Sequence, residues 1–136
     1  MDATKQPGIK FDAIVLKEIN FSRNPGILPK PELSIRFESA ISLSADKKKM
    51  NYELTCHIDE AGKSFVLKCS MIGMFSIVEE TENMNLEEFS KGNAPALIFP
   101  YVREVIASTT LRAGIPSVLL PPLNIQAMMS QALIEK

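Results

Sequence analysis

The sequence has few of the residues that usually carry chemistry. It holds 136 residues with a single histidine, His57, and two cysteines, Cys56 and Cys69. A zinc site needs three or four ligands at workable spacing, and one His and two Cys do not supply them. Two cysteines are too few for a disulfide scaffold and fit a reducing compartment. Cys56 and His57 are neighbours, but adjacent residues of a strand point to opposite faces, so they do not form a nucleophile–base pair. There is no Walker loop and no G-x-G-x-x-G fingerprint. Charge of one sign is missing too: the net charge is −1, so no basic field exists to draw phosphate, and nucleic acid is not an expected partner. No apolar run approaches the roughly 20 residues that span a bilayer. The longest, Ala94–Val102, is interrupted by Pro95 and Pro100. Met1–Ile9 is polar and has no apolar core of signal-peptide length. These absences predict a cytoplasmic protein that is not an enzyme, holds no metal or cofactor and does not insert into membranes. Asn20-Phe21-Ser22 fits a glycosylation sequon, but without a secretion signal it reads as chance.

What is present is strand and helix periodicity in two blocks. Residues 1–8 read as a disordered lead-in, and 9–136 as one domain. The first strand spans about 9–21, with Ile9, Phe11, Ala13, Val15, Ile19 and Phe21 on one parity and Ile14 and Leu16 on the other. A proline-rich loop comes next at Asn24–Pro31. The second strand, 33–43, alternates Leu33, Ile35, Phe37, Ile41 and Leu43 with polar residues. The third, 50–58, and the fourth, 64–76, alternate likewise. A turn at Asp46-Lys47 sets Leu43 against Met50 and Phe37 against Cys56. A two-residue turn at Ala61-Gly62 sets Ile58 against Phe65, Cys56 against Leu67 and Leu54 against Cys69. Both registers put every apolar residue on one face. They leave Cys56 and Cys69 diagonal, beyond the reach of an unstrained disulfide. His57 reads as a solvent-face residue, Lys47–Lys49 as an exposed turn and Glu79–Glu88 as an acidic link.

From Asn93 the period becomes helical, with Ile98, Val102, Val105, Ile106 and Thr109 on one side. Pro95 suits an early position and Pro100 is expected to kink or delay the helix. Gly114 ends it, with Pro116 beyond. Asn124 reads as the cap of a short second helix through Leu133. The fold class is α+β: a four-stranded antiparallel sheet followed by two helices.

This inventory holds more apolar surface than one sheet face and two short helices need. The connection 114–123 is apolar where loops are usually polar. Such a surplus implies subunit interfaces, a groove, or both. The plainer alternative is that the connection folds down on its own core.

At Gly73-Met74-Phe75-Ser76-Ile77 the chain begins to resemble a known family. The run Ala94-Pro95-Ala96-Leu97-Ile98-Phe99-Pro100-Tyr101-Val102-Arg103-Glu104 strengthens the likeness. So do Arg112-Ala113-Gly114-Ile115-Pro116 and Leu120-Pro121-Pro122-Leu123-Asn124. Over roughly residues 9–130 the sequence is similar to the SecB export chaperones. The resemblance implies a dimer of dimers that holds unfolded preproteins in apolar grooves without ATP. It implies groove residues Phe75, Ile115, Val118, Leu119, Leu120, Leu123, Met128 and Met129. Flexible thioethers suit such promiscuous contact. It implies subunit contacts through Phe65, Leu67, Cys69 and Met71, with Val102, Val105 and Ile106 on a helix sandwiched between paired sheets. The family's docking face for the motor SecA maps to Glu18, Ser22, Val66 and Lys68, of which only Glu18 is acidic.

Three readings are open. The first is a holdase for unfolded clients, serving export or a dedicated antitoxin. The second is an adaptor that joins folded partners. The third is an enzyme or small-ligand binder, which would need a polar cavity around residues such as Tyr101, Arg103 and Glu104. Arg103 and Glu104 otherwise read as structural, pairing with neighbours or another subunit.

Overall fold

A computed structural model describes residues 8–26, 32–78, 86–116, 118 and 120. Four strands come first: β1 Ile9–Arg23, β2 Leu33–Leu43, β3 Lys49–Glu60 and β4 Phe65–Ile77. One helix comes after them, α1 Leu86–Arg112. The strands form a single antiparallel sheet in the order β1-β4-β3-β2. Strands β2 to β4 are a meander, and β1 lies beside β4 at the far edge. Strands β1 and β2 therefore form the two edges of the sheet.

The end of β1 and the residue before β2 are both tied to the β3–β4 hairpin. Asn24 donates its backbone N–H to Ser64 O (2.7 Å), and its side-chain amide to Lys63 O (3.0 Å). At the other side Ala61 N–H donates to Glu32 O (2.9 Å). The hairpin itself is closed by the Glu60 carboxylate, which accepts from Ser64 Oγ at 2.5 Å and Ser64 N at 3.2 Å.

The β2–β3 register is as the alternation predicts, with Leu43 opposite Met50 and Phe37 opposite Cys56. The β3–β4 register differs. Ile58 faces Leu67, and Cys56 faces Cys69 directly, so the two cysteines are not diagonal. The loop takes four residues, 61–64, with Lys63 in the left-handed region (φ 59°) after a turn closed by Lys63 N–H to Glu60 O (2.8 Å). A shift of two residues keeps side-chain parity, so the apolar face survives the change. Both thiols are free and buried. Burial pushes Cys56 up to about 12, with Cys69 beside it adding to the rise, and Cys69 up to about 11.

The split parity of β1 is resolved by two bulges, one between Phe11 and Ala13 and one between Leu16 and Glu18. Each extra residue, Asp12 and Lys17, rotates the strand by one position. Ile14 and Leu16 therefore share the helix-side face with Ile9, Phe11, Ile19 and Phe21. Ala13 and Val15 turn to the outer face, which corrects the parity reading that grouped them with Ile9 and Phe11 and set Ile14 and Leu16 apart.

The helix begins nine residues before Pro95, not near it. Glu87 and Glu88 form its first turn, where carboxylates favour the positive end of the helix dipole, and are not part of a loose acidic link. Pro100 neither starts nor delays it. The carbonyls of Lys91 and Ala96, whose amide partners the prolines remove, belong to exposed residues that water can reach. Phe89, Ile98, Val102 and Ile106 lie buried against the sheet. Gly73 makes room for this: a Cβ there would sit 2.8 Å from Ile98 Cδ1. Phe75 is the aromatic hub, stacked on Phe11 (4.8 Å) and edge-on to Phe89 (5.1 Å). The second helix expected from Asn124, and the lead-in expected before residue 8, lie outside the described residues apart from Gly8.

Candidate functional site

The helix ends at Gly114, as expected, because φ of +76° suits glycine. Gly114 N–H donates to Leu111 O (3.1 Å) and Ile115 N–H to Thr110 O (3.4 Å), the paired bonds of a Schellman ending. Arg23, the last residue of β1, reaches across to this end. Its Nη1 donates to Ala113 O (2.7 Å) and Nη2 to Gly26 O (2.6 Å). A cation on the last carbonyls complements the negative end of the dipole.

Beyond Gly114 the chain folds back on α1. Ile115, Val118 and Leu120 are buried and belong to the same apolar cluster as Phe75, Val102 and Ile106. Two side chains of α1, seven residues apart, hold this strap. Thr110 Oγ1 bonds to Ile106 O (2.9 Å) and Ala107 O (3.1 Å), and accepts from Val118 N–H at 2.9 Å. Arg103 Nε donates to Leu120 O at 2.5 Å. Arg103 is thus structural. Tyr101 lies edge-on to Phe11 (6.2 Å), so it does not form a polar cavity with Arg103 and Glu104.

Of the groove candidates, Phe75, Ile115, Val118 and Leu120 are buried in the single chain. Leu119, Leu123, Met128 and Met129 lie outside the described residues. Of the subunit-contact candidates, Phe65, Leu67, Cys69, Met71, Val102 and Ile106 are buried and Val105 is half-buried. The candidates on the motor-docking face, Glu18, Ser22, Val66 and Lys68, share the outer face of the sheet. Lys68 Nζ stands 3.2 Å from Glu18 Oε1. Two more carboxylates of this face stand beside a basic side chain, Glu53 with Lys17 (2.9 Å) and Glu38 with His57 (2.5 Å). At its centre Thr55 and Ser70 share a buried hydrogen bond of 2.7 Å.

The surface does keep an apolar surplus, part of it at residues the alternation names, such as Ile19 and Ile41, and part at residues it does not. Leu16 is 46% exposed and Ile19 39%, both on the helix side of β1 where α1 does not cover the sheet. Tyr101 (45%) and Leu111 (66%) are exposed on α1. The bulges hide the first two, since without them Leu16 and Ile19 fall on opposite faces. Leu111 stands off the apolar side of the helix, and that is its available signal.

A pocket of about 350 Å³ lies where β1 ends against the β3–β4 hairpin, lined by Arg23, Asp59, Glu60 and Lys63 among others. Arg23 donates to backbone carbonyls and Glu60 accepts from Ser64 and the Glu32 amide, so both are held in structural bonds. Among the described residues, no cluster of three or more His, Cys, Asp or Glu could hold a metal ion. No helix among them is long and apolar enough to cross a membrane.

Comparison with known proteins gives a consistent picture. The family model described as preprotein translocase subunit SecB matches residues 2–136. The protein-export protein SecB of Anaplasma phagocytophilum is 34% identical over 122 residues, covering 87% of this chain and 75% of its own. An uncharacterised protein of Methanocaldococcus jannaschii is 32% identical over 139 residues, covering 96% and 88%. Among solved structures, a SecB-like chaperone of Mycobacterium tuberculosis in complex with a peptide from the HigA1 antitoxin superposes with a TM-score of 0.73. It covers 86% of this chain and 88% of its own, at 16% identity.

Proposed function

The chain belongs to the SecB family, and from that premise we propose that it is an ATP-independent holdase, a dimer of dimers that keeps unfolded polypeptides from aggregating. The observation that carries this reading is the apolar surface left over once the core is complete. Leu16, Ile19, Tyr101 and Leu111 remain exposed although the sheet face beside them is packed. A scatter of single apolar residues needs no explanation, but these four lie on the helix side of one edge strand and on that helix. A catalytic role has no support from the site, where Arg23 and Arg103 are bound to backbone carbonyls and Glu18 to Lys68.

Within this function the outer face favours a dedicated client, such as an antitoxin, over hand-over to SecA. At the positions that match the motor-docking face, Glu18 is neutralised by Lys68, and Ser22 and Val66 carry no charge. A basic partner meets little net attraction there. A folded-partner adaptor remains the competing reading.

The test is light scattering on a sizing column with α-lactalbumin as client. The expected result is a tetramer whose mass rises with reduced, carboxymethylated α-lactalbumin and stays unchanged with the native form. Binding of neither form removes the holdase, and binding of the native form alone favours the adaptor.

A further inference from the structure

Two nucleophilic side chains take no part in the function proposed above. Cys56 and Cys69 lie on the two central strands of the sheet, on the face that α1 covers, and have no exposed surface. They belong to one row across that face, made of Phe37, Cys56, Cys69 and Ile19. In the rows on either side the central positions pair Ile58 with Leu67 and Leu54 with Met71, all large and buried. The middle row instead sets two small, oxidisable side chains against each other. We propose that Cys56 and Cys69 are an oxidative modification site, a dithiol that a small disulfide such as glutathione disulfide converts to a cross-strand bridge bolting β3 to β4, and that lifting of α1 gates the reaction.

The register makes the bridge reachable. Residues directly opposite in an antiparallel pair have Cα atoms roughly 4.5–5.5 Å apart, and their side chains share a face. An unstrained disulfide spans Cα separations of about 4.4–6.8 Å. Both thiols are free, so closing the bond needs no movement of either strand. The cover over the pair is uneven. Beside Cys56 stands Phe37, itself buried, whereas beside Cys69 stands Ile19, which is 39% exposed. Cys69 is therefore the first to be reached. Burial pushes its thiol up to about 11 and that of Cys56 up to about 12, which orders them the same way. Covered and protonated, neither thiol reacts while α1 is seated, so the reaction waits on local opening. The Cys69 thiolate then attacks one sulfur of glutathione disulfide, the S–S bond breaks, and one glutathione leaves as a thiolate that takes up the proton. Cys56 attacks the Cys69 sulfur of the mixed disulfide, and the second glutathione leaves in the same way. Two protein thiols are oxidised to one disulfide, and one glutathione disulfide is reduced to two thiols. The bridge restricts the unfolded chain between the two central strands, so the oxidised protein resists unfolding.

The test incubates the reduced chain with excess glutathione disulfide and follows it by intact mass and by peptide mapping without reductant. The expected product is lighter by two hydrogens, and its map links the Cys56 peptide to the Cys69 peptide. It should melt about 5–10 °C above the reduced protein and revert with dithiothreitol. Cys56→Ala should stop at one glutathione on Cys69, because the resolving thiol is gone. Gly73→Ala crowds Ile98 and so loosens α1 on the sheet; it should form the disulfide about fivefold faster or more. Wild type in urea below its unfolding transition should show the same acceleration, which tests the gate even if Gly73→Ala does not fold. Chains joined to one another through disulfides, a lasting glutathione adduct on wild type, or thiols that react only within the unfolding transition overturn the site. A bridge that lowers the melting temperature overturns its role as a bolt. Rates unchanged in folded Gly73→Ala or in dilute urea overturn gating by α1.

Discussion

Glu60 shows how much of this fold depends on one carboxylate. It closes the β3–β4 hairpin by accepting from Ser64, and also faces the Glu32 amide at 3.4 Å, so it ties the start of β2 to the hairpin. Hydrogen bonds from Ser64, then from the backbone of Gly62 and Ser64, stabilise the ionised form. Burial opposes them and is outweighed, so the pKa falls from 4.5 to about 2. A folded-state pKa below the unfolded one contributes stability above the ordinary carboxyl range. That contribution is lost as pH falls from about 4.5 toward about 2. Glu60→Gln should therefore be less stable than wild type at pH 7, and the gap should close across this acid window. Urea midpoints measured from pH 2 to pH 7 on both proteins check it. None of this was legible in the sequence, where Glu60 is one of 16 acidic residues. Its role depends on a four-residue loop that alternation does not distinguish from a two-residue one, because both preserve parity.

At the scale of elements, the strand pattern was legible wherever one face is buried and the strand is regular. The faces of β2 and β3 follow from alternation, and their pairing follows once the turn at Asp46-Lys47 is added, since alternation sets the face and the turn sets the register. Strand β1 was not legible, since its bulges depend on how an edge strand twists against β4 rather than on its own residue order. The early start of α1 was hidden because prolines read as boundaries, whereas here tertiary packing of Phe89 and Ala94 outweighs two missing amide donors. Packing is also what Gly73 serves. With Ile98 Cδ1 and Cγ1 at 2.8 and 2.9 Å from an added methyl, Gly73→Ala forces α1 away from β4. It should destabilise the protein by about 1–2 kcal/mol, the usual penalty for overpacking. Ile98→Val should also destabilise alone, by about 1 kcal/mol. The double variant should then be more stable than the sum of the two losses predicts, since neighbours in contact do not add. Chemical denaturation of the four proteins completes the cycle.

At the scale of the whole molecule, charge and apolar surface point the same way. A chain of net charge −1 meets a second copy with almost no repulsion. On its outer face Glu18, Glu53 and Glu38 stand beside Lys68, Lys17 and His57 of the same chain, so these carboxylates offer little ionic handle for self-association. The helix side of β1 offers Leu16 and Ile19, on a strand that among the described residues pairs on one side only. Association through such a surface gains from apolar burial, at roughly 25 cal/mol per Å² removed from water. It should be insensitive to salt, since screening acts on charges and not on apolar contact. The mass by light scattering should accordingly stay the same between 50 mM and 1 M sodium chloride (both concentrations on the order of those that bracket strong and weak screening). Leu16→Lys with Ile19→Thr should lower that mass. Both side chains are exposed in the single chain, so the folded subunit should lose little, within about 0.5 kcal/mol each. The melting temperature of the wild type should rise with protein concentration, as it does when association stabilises the folded form, and that of the double variant should not. A wild-type mass that falls with salt would instead place the subunit contacts on charged residues, and the exposed apolar edge would then belong to the client alone.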